Sequence, residues 1–395
     1  MAGSVAHVFK NGVRAAKLTR VGSEVSFQYL PEYLAADGAP VATTLPLTAG
    51  PVVNANGAVP AFFAGLLPEG RRLGAIASRI KVSLDDDIAL LLEIGADLIG
   101  DVQVLATEDS AAPEREVLML PSDTSGIDFG AIREQYFGSR ASGLPGFQDK
   151  ISSKMLNARA RMANQEYILK LNPTDVPFAV ENEAFFLALA KICRIDTINF
   201  DVLTDSKGER ALLLKRFDRE PTPRDTLRLA MEDACQVLNL YPGQKYDLEF
   251  TKVADALMEH TAARKVAGLE LFKQLVFSWL TANGDAHAKN FSIVQTLDGE
   301  WRISPAYDLL CTYYYDDRKM ALTLDGEAKG WTRAALVNAA AKLELPKAVA
   351  ETVIDLQLAA LASLPQAIID GALPLPRNQN YDVAAALKQR AKLLR

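Results

Sequence analysis

The chain has 395 residues, of which 49% are hydrophobic and 23% are charged, a composition typical of a soluble globular protein. This length exceeds what one ordinary hydrophobic core supports, so two or three packed units are expected. The 43 basic residues are outnumbered by 49 acidic residues, giving a net charge of −6, which argues against a broad surface for nucleic-acid phosphates but leaves a local basic patch open.

The sequence carries no targeting or disulfide pattern. Charged residues interrupt the N-terminus, so it lacks the apolar core of a signal peptide, and no stretch reaches the roughly 18 uninterrupted apolar residues of a membrane helix. The three cysteines are scattered and lack a CxxC spacing, which indicates reduced core residues. We therefore expect a cytoplasmic protein without a membrane segment. The cysteines are Cys193, Cys235 and Cys311.

The first predicted unit, residues 1–105, combines short strands, turns and two helices. A β-hairpin is indicated where residues 7–9 and 13–18 flank the turn dipeptide Asn11-Gly12. Apolar residues at helical spacing predict helices over residues 62–67 and 87–94. Further strands are predicted over residues 25–29 and 101–106.

The second predicted unit, residues 106–224, begins in a polar segment with two prolines, which marks a boundary. We expect it to be rich in strands around one helix, residues 181–193. An alternating strand over residues 167–171 precedes this helix, and a hairpin over residues 197–217 follows it.

The third predicted unit, residues 225–395, is mainly helical. Its exception is a hairpin over residues 291–304, joined through Asp298-Gly299. The tail from residue 332 is rich in Ala and Leu and is broken by prolines. A strand-rich lobe followed by a helical lobe indicates an α+β fold.

The strongest chemical signal is the segment Asn283-Gly-Asp-Ala-His-Ala-Lys-Asn290, which follows an amphipathic stretch. Asp285 and Asn290 lie five positions apart, the spacing of the catalytic base and the metal-binding asparagine in a protein-kinase loop. The predicted hairpin and then Asp308 follow. Phosphoryl transfer needs one carboxylate to accept the hydroxyl proton, and an amide oxygen and a second carboxylate to hold Mg²⁺. The ordered set therefore indicates a kinase site.

Alternatives stay open for the single residues of this set. A lone Asp or Asn more often caps a turn or a helix than holds a metal ion. His287 either positions a phosphate or the loop, or is a structural histidine. Asp308 is preferred as the second acidic ligand to Asp298 and Glu300, which belong to the predicted hairpin tip and should be solvated. A metal-dependent hydrolase would use similar residues. Against this alternative, the sequence has no second histidine near His287.

A kinase also needs a cation for the nucleotide phosphates. Lys170 lies in an apolar strand, where a charge is costly unless it is paired. Glu183 on the following helix is the predicted partner, with Glu181 as the alternative. The segment from Ser142 to Lys150 resembles a flexible loop that covers phosphates with its backbone amides, although a Gly-Pro segment alone is more often a simple turn. Residues 215–217 end a strand where the backbone of a hinge between lobes would contact adenine; the alternative for Phe217 is a core residue.

These motifs together resemble the HipA family of serine/threonine kinases over nearly the whole chain. The resemblance is most specific at Gly284-Asp-Ala-His-Ala-Lys-Asn-Phe291. It implies a HipA-like kinase fold with an N-terminal subdomain (1–105), a strand-rich kinase N-lobe (106–224) and a helical kinase C-lobe (225–395). The supporting segments are residues 62–69, 92–100, 146–150, 181–183, 215–219, 232–236 and 305–309.

The resemblance implies a site for ATP and Mg²⁺. Asp285 would be the catalytic base, with His287 beside it, and Asn290 and Asp308 would hold Mg²⁺. Glu183 would pair with Lys170. The residues around ATP would be Pro145, Gly146, Phe147, Gln148, Asp149, Lys150, Lys170, Lys215, Arg216, Phe217, His287, Ala288, Lys289 and Asn290.

The resemblance also implies self-phosphorylation in the phosphate loop. Family members commonly carry the modified serine two or three residues before the glycine of this loop. Here Gly143 and Leu144 occupy those positions. Ser142, one residue further out, is therefore the preferred site, with Ser139 as the alternative.

The resemblance further implies partners. A HipB-like helix-turn-helix antitoxin would neutralise the kinase, and DNA would be contacted only indirectly, through that antitoxin. The substrate would be a protein, for example an aminoacyl-tRNA synthetase, so that phosphorylation stalls translation. The alternative is a catalytically weak or inactive kinase-fold protein that acts as a corepressor with the antitoxin.

Overall fold

A computed structural model of the chain describes residues 5–109, 117–121, 123–137, 155–223 and 226–395. The described strands form four sheets, two with five strands, one with three and one with two. The predicted phosphate loop from Ser142 to Lys150 and the alternative serine Ser139 lie outside the described residues.

The N-terminal part of the chain forms an antiparallel sheet with strand order β4-β3-β2-β1-β5. The predicted hairpin is confirmed, because Asn11 and Gly12 both have positive φ, 49° and 73°, as a two-residue turn requires. The elements of this part are β1 (Val5–Lys10), β2 (Val13–Val21), β3 (Glu24–Tyr29), α1 (Pro31–Ala35), β4 (Val52–Asn54), α2 (Ala61–Leu66), α3 (Gly70–Ile80), α4 (Asp87–Ile94) and β5 (Val102–Leu105).

This part has its own apolar core between the sheet and the helices. Leu18 and Phe27 from the sheet meet Phe63 of α2 and Leu91 of α4, and all four side chains are buried. Burying one such side chain contributes about 1.5–3 kcal/mol. The core therefore holds α2 and the segment that follows it at a fixed position.

The second sheet has strand order β6-β7-β8-β10-β9, in which only the β6–β7 pair is parallel among the described strands. A helix packs on each face. The elements are β6 (Leu118–Met119), α5 (Phe129–Phe137), β7 (Leu156–Met162), β8 (Gln165–Leu171), α6 (Ala179–Ile192), β9 (Phe200–Thr204) and β10 (Arg210–Lys215).

Alternation along the strands assigns side chains to the two faces of this sheet. Leu213 packs in the core beside α5, whereas Leu212 and Leu214 pack in the core that contains α6. On β8, Leu169 and Leu171 join the α5 side. Because successive side chains on a strand point to opposite faces, Lys170 between them faces α6.

The remainder of the chain is mainly helical and surrounds the buried helix α9. A three-stranded sheet, β13-β14-β15, lies at its edge and contains the predicted hairpin. The elements are β11 (Arg219–Pro221), β12 (Thr226–Arg228), β13 (Met231–Asp233), α7 (Ala234–Val237), α8 (Phe250–His260), α9 (Arg264–Leu280), β14 (Ser292–Gln295), β15 (Trp301–Ile303), α10 (Arg333–Lys342), α11 (Lys347–Ala360), α12 (Leu364–Ile369) and α13 (Arg377–Leu393).

Prolines in the tail begin helices rather than only ending them. Pro346 and Pro376 precede α11 and α13, and Pro365 lies in the first turn of α12, where a missing N–H costs nothing. One stretch of the described chain, residues 347–369, is long and apolar enough to be a candidate membrane span. It divides into α11 and α12, whose Ile354 and Ile368 are buried in the protein core.

The described chain contains helices in addition to those expected from the sequence. The first unit has four helices rather than two, the additional ones being α1 and α3. Helix α3 does carry a helical apolar stripe, including Leu73, Ile76 and Ile80. Helix α5 is additional to the single helix expected in the second unit; it packs on the sheet through Phe129 and Ile132, a tertiary contact that its local sequence does not signal.

Candidate active site

Lys170 is held by a partner on α6. Its ammonium nitrogen lies 2.8 Å from each carboxylate oxygen of Glu183, a side chain with no exposed surface. Glu181 points elsewhere and accepts a hydrogen bond from Asn172 Nδ2 at 3.0 Å. The strand-to-helix ion pair is therefore formed with Glu183 and not with the alternative.

The environment keeps Lys170 charged. Burial opposes the charge, but the carboxylates of Asp308 and Glu183 outweigh this effect and raise the pKa of Lys170 above its usual value. Burial raises the pKa of Glu183, although the Lys170 ammonium opposes that shift. A buried cation of this kind needs several acceptors in good geometry, and these two carboxylates supply them.

Asp308 joins Lys170 to the loop that contains Asp285. Its Oδ1 forms an ion pair with Lys170, and its Oδ2 accepts a hydrogen bond from Asn290 Nδ2 at 3.1 Å. The backbone of Asp308 has a φ of 53°, a left-handed conformation that is uncommon outside glycine and that clusters at functional sites. Lys170, Asn290 and Asp308 thus converge on one point between the two lobes.

The loop around Asp285 is fixed by its own backbone and side chains. The amide of Asp285 donates to Asn283 Oδ1 at 3.2 Å, and Asn283 Nδ2 donates to the carbonyl of Asp308 at 3.3 Å. His287 and Asn290 bracket a short 3₁₀ helix, Ala288–Asn290, in which the His287 amide donates to Asn290 Oδ1 at 3.0 Å. These bonds tie Asp285 to both predicted metal ligands.

Tyr246 contacts the Asp285 carboxylate and was not predicted from the sequence. Its hydroxyl donates to Asp285 Oδ1 at 3.3 Å, and its ring meets the ring of His287 edge-on at 5.3 Å. Burial, reinforced by Asp285, raises the pKa of Tyr246 above its usual value, so the hydroxyl stays protonated. His287 is buried in this cluster, which favours its role in positioning the loop.

The predicted ATP ligand Lys289 lies in a different cluster. Its ammonium group donates to Asp233 Oδ2 at 2.7 Å and to the carbonyl of Gly65 at 2.9 Å. The structure therefore does not bring this side chain together with Lys170. An ammonium flanked by a carboxylate and a carbonyl has its charge satisfied locally. Proximity to Asn290 in the sequence therefore does not place this side chain beside Lys170.

Arg216 also departs from the predicted nucleotide site. Its guanidinium is buried and binds Asp97 and Asp218, with Nη1 2.9 Å from Asp97 Oδ1. The amides of Lys215 and Arg216 donate to the carbonyls of Asn199 and Glu166, so those two amides are already occupied. Any adenine contact of this segment would have to use other groups.

Phe217 keeps a position near the loop, with its ring 6.0 Å from that of Tyr307. The hydroxyl of Tyr307 donates to the carbonyl of Lys289 at 2.7 Å and contacts Ser292. Phe217 therefore packs against a residue that supports the loop containing Asp285. The remaining predicted ATP residues, Pro145, Gly146, Phe147, Gln148, Asp149 and Lys150, lie outside the described residues, as does Ser142.

The donor set at the convergence point fits a hard cation. Asp308 offers carboxylate oxygens and is partly exposed, and Asn290 Oδ1 accepts one hydrogen bond and retains a second lone pair. Within the part of the chain that the structure describes, no cluster of three or more His, Cys, Asp and Glu could hold a metal ion. A magnesium ion here would thus take further ligands from nucleotide phosphates and water.

Two protein-family models match the chain. The HipA N-terminal domain matches residues 6–105, and the HipA-like C-terminal domain matches residues 142–364, more than half of the sequence. This chain belongs to the HipA family. The family resemblance drawn from the sequence motifs is confirmed by these matches.

Related proteins extend the match beyond single motifs. Y4dM of Sinorhizobium fredii, a relative named only provisionally as a kinase, is 31% identical over 307 residues, which span 73% of this HipA-family chain and 72% of Y4dM. The serine/threonine-protein kinase toxin HipA of Shewanella oneidensis is 25% identical over 316 residues, which span 73% of this chain and 71% of that protein.

A solved structure covers nearly the whole molecule. A chain in the Shewanella oneidensis MR-1 complex of HipA, HipB and operator DNA superposes with a TM-score of 0.76 at 20% identity, covering 98% of this chain and 97% of that chain. At this identity the superposition establishes the fold. The HipA-family chain therefore has the predicted α+β, HipA-like kinase fold.

Proposed function

We propose that this HipA-family chain is a serine/threonine protein kinase that uses ATP with Mg²⁺ and acts as the toxin of a toxin–antitoxin pair. The observation that carries the proposal is the convergence of Lys170, Asn290 and Asp308 beside the loop that holds Asp285. A structural role alone would not require a buried lysine, an amide and two carboxylates in one cluster of contacts.

Each of these residues has a chemical role in phosphoryl transfer. Lys170 would bind the nucleotide phosphates while Glu183 fixes its position. Asn290 and Asp308 would hold Mg²⁺, which would neutralise charge on the phosphates. Asp285 would accept the proton of the substrate hydroxyl as the hydroxyl oxygen attacks the γ-phosphorus. Asn283 and Tyr246 would keep that carboxylate oriented.

The decisive experiment compares Asp285→Asn with Asp298→Asn in transfer of label from γ-labelled ATP. Removing a positioned base should lower the rate by roughly 10²–10⁴-fold. Asp298 lies on the exposed hairpin tip, so its variant makes the same chemical change and should keep wild-type activity. Both variants should still bind nucleotide. Wild-type turnover in Asp285→Asn would refute the assignment of the base.

The corepressor alternative predicts a different result. A kinase-fold scaffold would bind nucleotide and an antitoxin but would transfer no label, either to itself or to a protein in a lysate. The presence of the complete set Lys170, Glu183, Asp285, Asn290 and Asp308 favours the active enzyme. An excess of free phosphate over phosphoprotein would instead indicate a hydrolase.

A HipB-like antitoxin is the proposed partner. The solved Shewanella oneidensis complex contains HipA, HipB and operator DNA, and this chain shares that HipA-like fold. Because the net charge of this chain is −6, DNA contact would come mainly through the antitoxin. Co-purification with a helix-turn-helix protein encoded beside it, together with operator binding only by the pair, would test this proposal. The protein substrate is best sought by phosphoproteomics after induction of wild type and Asp285→Asn.

A further inference from the structure

An ion pair close to Asp285 links the N-terminal part of the molecule to the mainly helical part that follows residue 225, called the catalytic lobe below. Glu69, at the N-cap position of α3, contacts the ammonium group of Lys245. Lys245 is only 5% exposed, so a carboxylate from another unit of the fold offsets the cost of burying this side chain. The two residues are 176 positions apart in the sequence.

Lys245 supports the catalytic loop through its backbone. Its carbonyl oxygen accepts a hydrogen bond from the amide of Ala288 at 3.2 Å. Ala288 begins the short 3₁₀ helix that ends at Asn290. A displacement of Lys245 would therefore be passed directly to the segment between the predicted base and the predicted metal ligand.

The next residue, Tyr246, supports the loop at a second point. Its hydroxyl reaches Asp285 Oδ1, and its ring packs against His287. The ammonium group of Lys245 also lies 5.1 Å from the centre of the Tyr246 ring. The Lys245-Tyr246 dipeptide thus braces the loop on both sides of His287, and Glu69 anchors the dipeptide.

The α2 segment contacts the same lobe independently, which fixes the position of Glu69. Gln236 Nε2 donates to the carbonyl of Phe62 at 2.9 Å, and Lys289 donates to the carbonyl of Gly65. A Cβ added to Gly65 would lie 2.7 Å from Gln236 Cγ, so the two surfaces are in close contact. The chain from α2 to Glu69 is therefore rigidly seated against the catalytic lobe.

We propose that Glu69 is a positioning residue for phosphoryl transfer, by which the N-terminal unit holds Lys245-Tyr246 and thereby the catalytic loop in its active arrangement. This inference rests on the proposed kinase function. It assigns the N-terminal unit a part in catalysis, in addition to any surface that this unit offers to a partner. It also explains why a charged pair is kept at a buried contact between units.

The test compares Glu69→Gln with Glu32→Gln in the full-length protein. Glu32 lies in the same unit and pairs with Arg14 on the surface, so the control removes a carboxylate without touching the catalytic lobe. Glu69→Gln should lower kcat about 10- to 100-fold, as small misplacements of reacting groups do. The KM for ATP should change less than kcat, because Lys170, the proposed phosphate ligand, is held by Glu183 and Asp308 and not by Glu69.

Hydrogen exchange gives a readout that does not depend on activity. Amides of residues 284–291 should exchange faster in Glu69→Gln than in wild type, with no change in Glu32→Gln. Glu69→Asp keeps the charge on a shorter side chain and should give intermediate values; it also provides the measurement if Glu69→Gln does not fold.

The outcomes separate this inference from the proposed function. If wild type transfers phosphate and Glu69→Gln has the kcat of the control, the inference is overturned, whatever the exchange shows. If wild type transfers no phosphate, the proposed function fails. In that case faster exchange confined to Glu69→Gln still supports the positioning of the loop by Glu69, and unchanged exchange overturns it.

Discussion

The ammonium nitrogen of Lys170 is equidistant, at 2.8 Å, from the two carboxylate oxygens of Glu183. Glu183 holds the lysine without itself being exposed, so its effect on catalysis must be indirect. Replacing Glu183 by Gln leaves the shape of the side chain but removes the charge that orients Lys170. We expect kcat/KM for ATP to fall about 100-fold, the loss typical of a misplaced phosphate-binding group.

The matched control for this prediction is Glu181→Gln. Glu181 lies on the same helix, two residues earlier, but bonds to Asn172. Its variant should retain kcat/KM within about two-fold of wild type. Equal losses in both variants, measured by initial rates over a range of ATP concentrations, would contradict a specific role for Glu183.

A second prediction concerns the buried network that joins the N-terminal unit to the segment after β10. Asp97 accepts hydrogen bonds from Arg216 and Arg219, and Gly100 donates its amide to Asp218 at 2.8 Å. Removing one partner of a buried ion pair leaves an uncompensated charge, which costs about 3–5 kcal/mol. Asp97→Asn should lower the free energy of unfolding in urea by about that amount.

The control for Asp97 is Asp316→Asn. Asp316 pairs with Arg318, but its side chain is 91% exposed, and pairs of this kind contribute about 0–1 kcal/mol. A loss below about 1 kcal/mol in Asp97→Asn, similar to that of the control, would show that the network does not stabilise the contact between the two units.

Asp218 in the same network gives a prediction for pH dependence. Burial opposes its charge, but Arg216 and Arg219 outweigh this effect and lower the pKa of Asp218 to about 2. The folded carboxyl therefore stays ionised at pH values where the unfolded one, with a pKa of about 3.9, is protonated. This stabilisation, about 2.6 kcal/mol, is complete above pH about 5 and is lost as the pH falls from there through about 2.

The measurement compares urea unfolding of wild type and Asp218→Asn between pH 6 and pH 3. Wild type should be the more stable at pH 6, and the difference should shrink by about 1 kcal/mol at pH 3, where part of the linkage is already lost. A difference that does not change with pH would mean that the carboxyl titrates alike in the folded and unfolded chain.

Local patterns predicted much of this architecture because they report periodicity and turn chemistry. The Asn11-Gly12 hairpin, the strand with Lys170 and the hairpin after Asn290 all follow from alternation and turn residues within a few positions. The face of Lys170 follows from the same alternation. The candidate site could therefore be predicted from the sequence where its residues belong to one short segment or to one strand–helix pair.

Contacts between segments that are distant in the sequence could not be predicted from local patterns. Lys289 and Arg216 lie beside predicted site residues in the sequence, but their side chains turn to Asp233 and to Asp97. The partner of Lys245 is 176 residues away. No spacing rule relates such residues, because their meeting depends on how the N-terminal core docks on the catalytic lobe.

The glycine before the proposed base gives the last prediction. Gly284 directly precedes Asp285 in the loop. A Cβ added to Gly284 would lie 2.5 Å from the carbonyl oxygen of Lys319 and 2.9 Å from Thr312 Oγ1. A carbonyl oxygen of the backbone cannot move aside as the end of a flexible side chain can. Gly284→Ala must therefore shift the loop, and the amide of Gly284 would lose its 2.8 Å bond to Thr312.

We expect Gly284→Ala to lower kcat by about 100-fold, because a displacement near 1 Å at the reacting groups has that effect, and to destabilise the fold by about 1–3 kcal/mol. Gly243→Ala is the matched control, since a Cβ at Gly243 meets nothing within 4 Å, and it should be neutral or slightly stabilising. Initial rates and urea unfolding of the two variants check both effects. If Gly284→Ala matched Gly243→Ala in rate, the loop would tolerate displacement, and the tight bracing of Asp285 would not be what sets the rate.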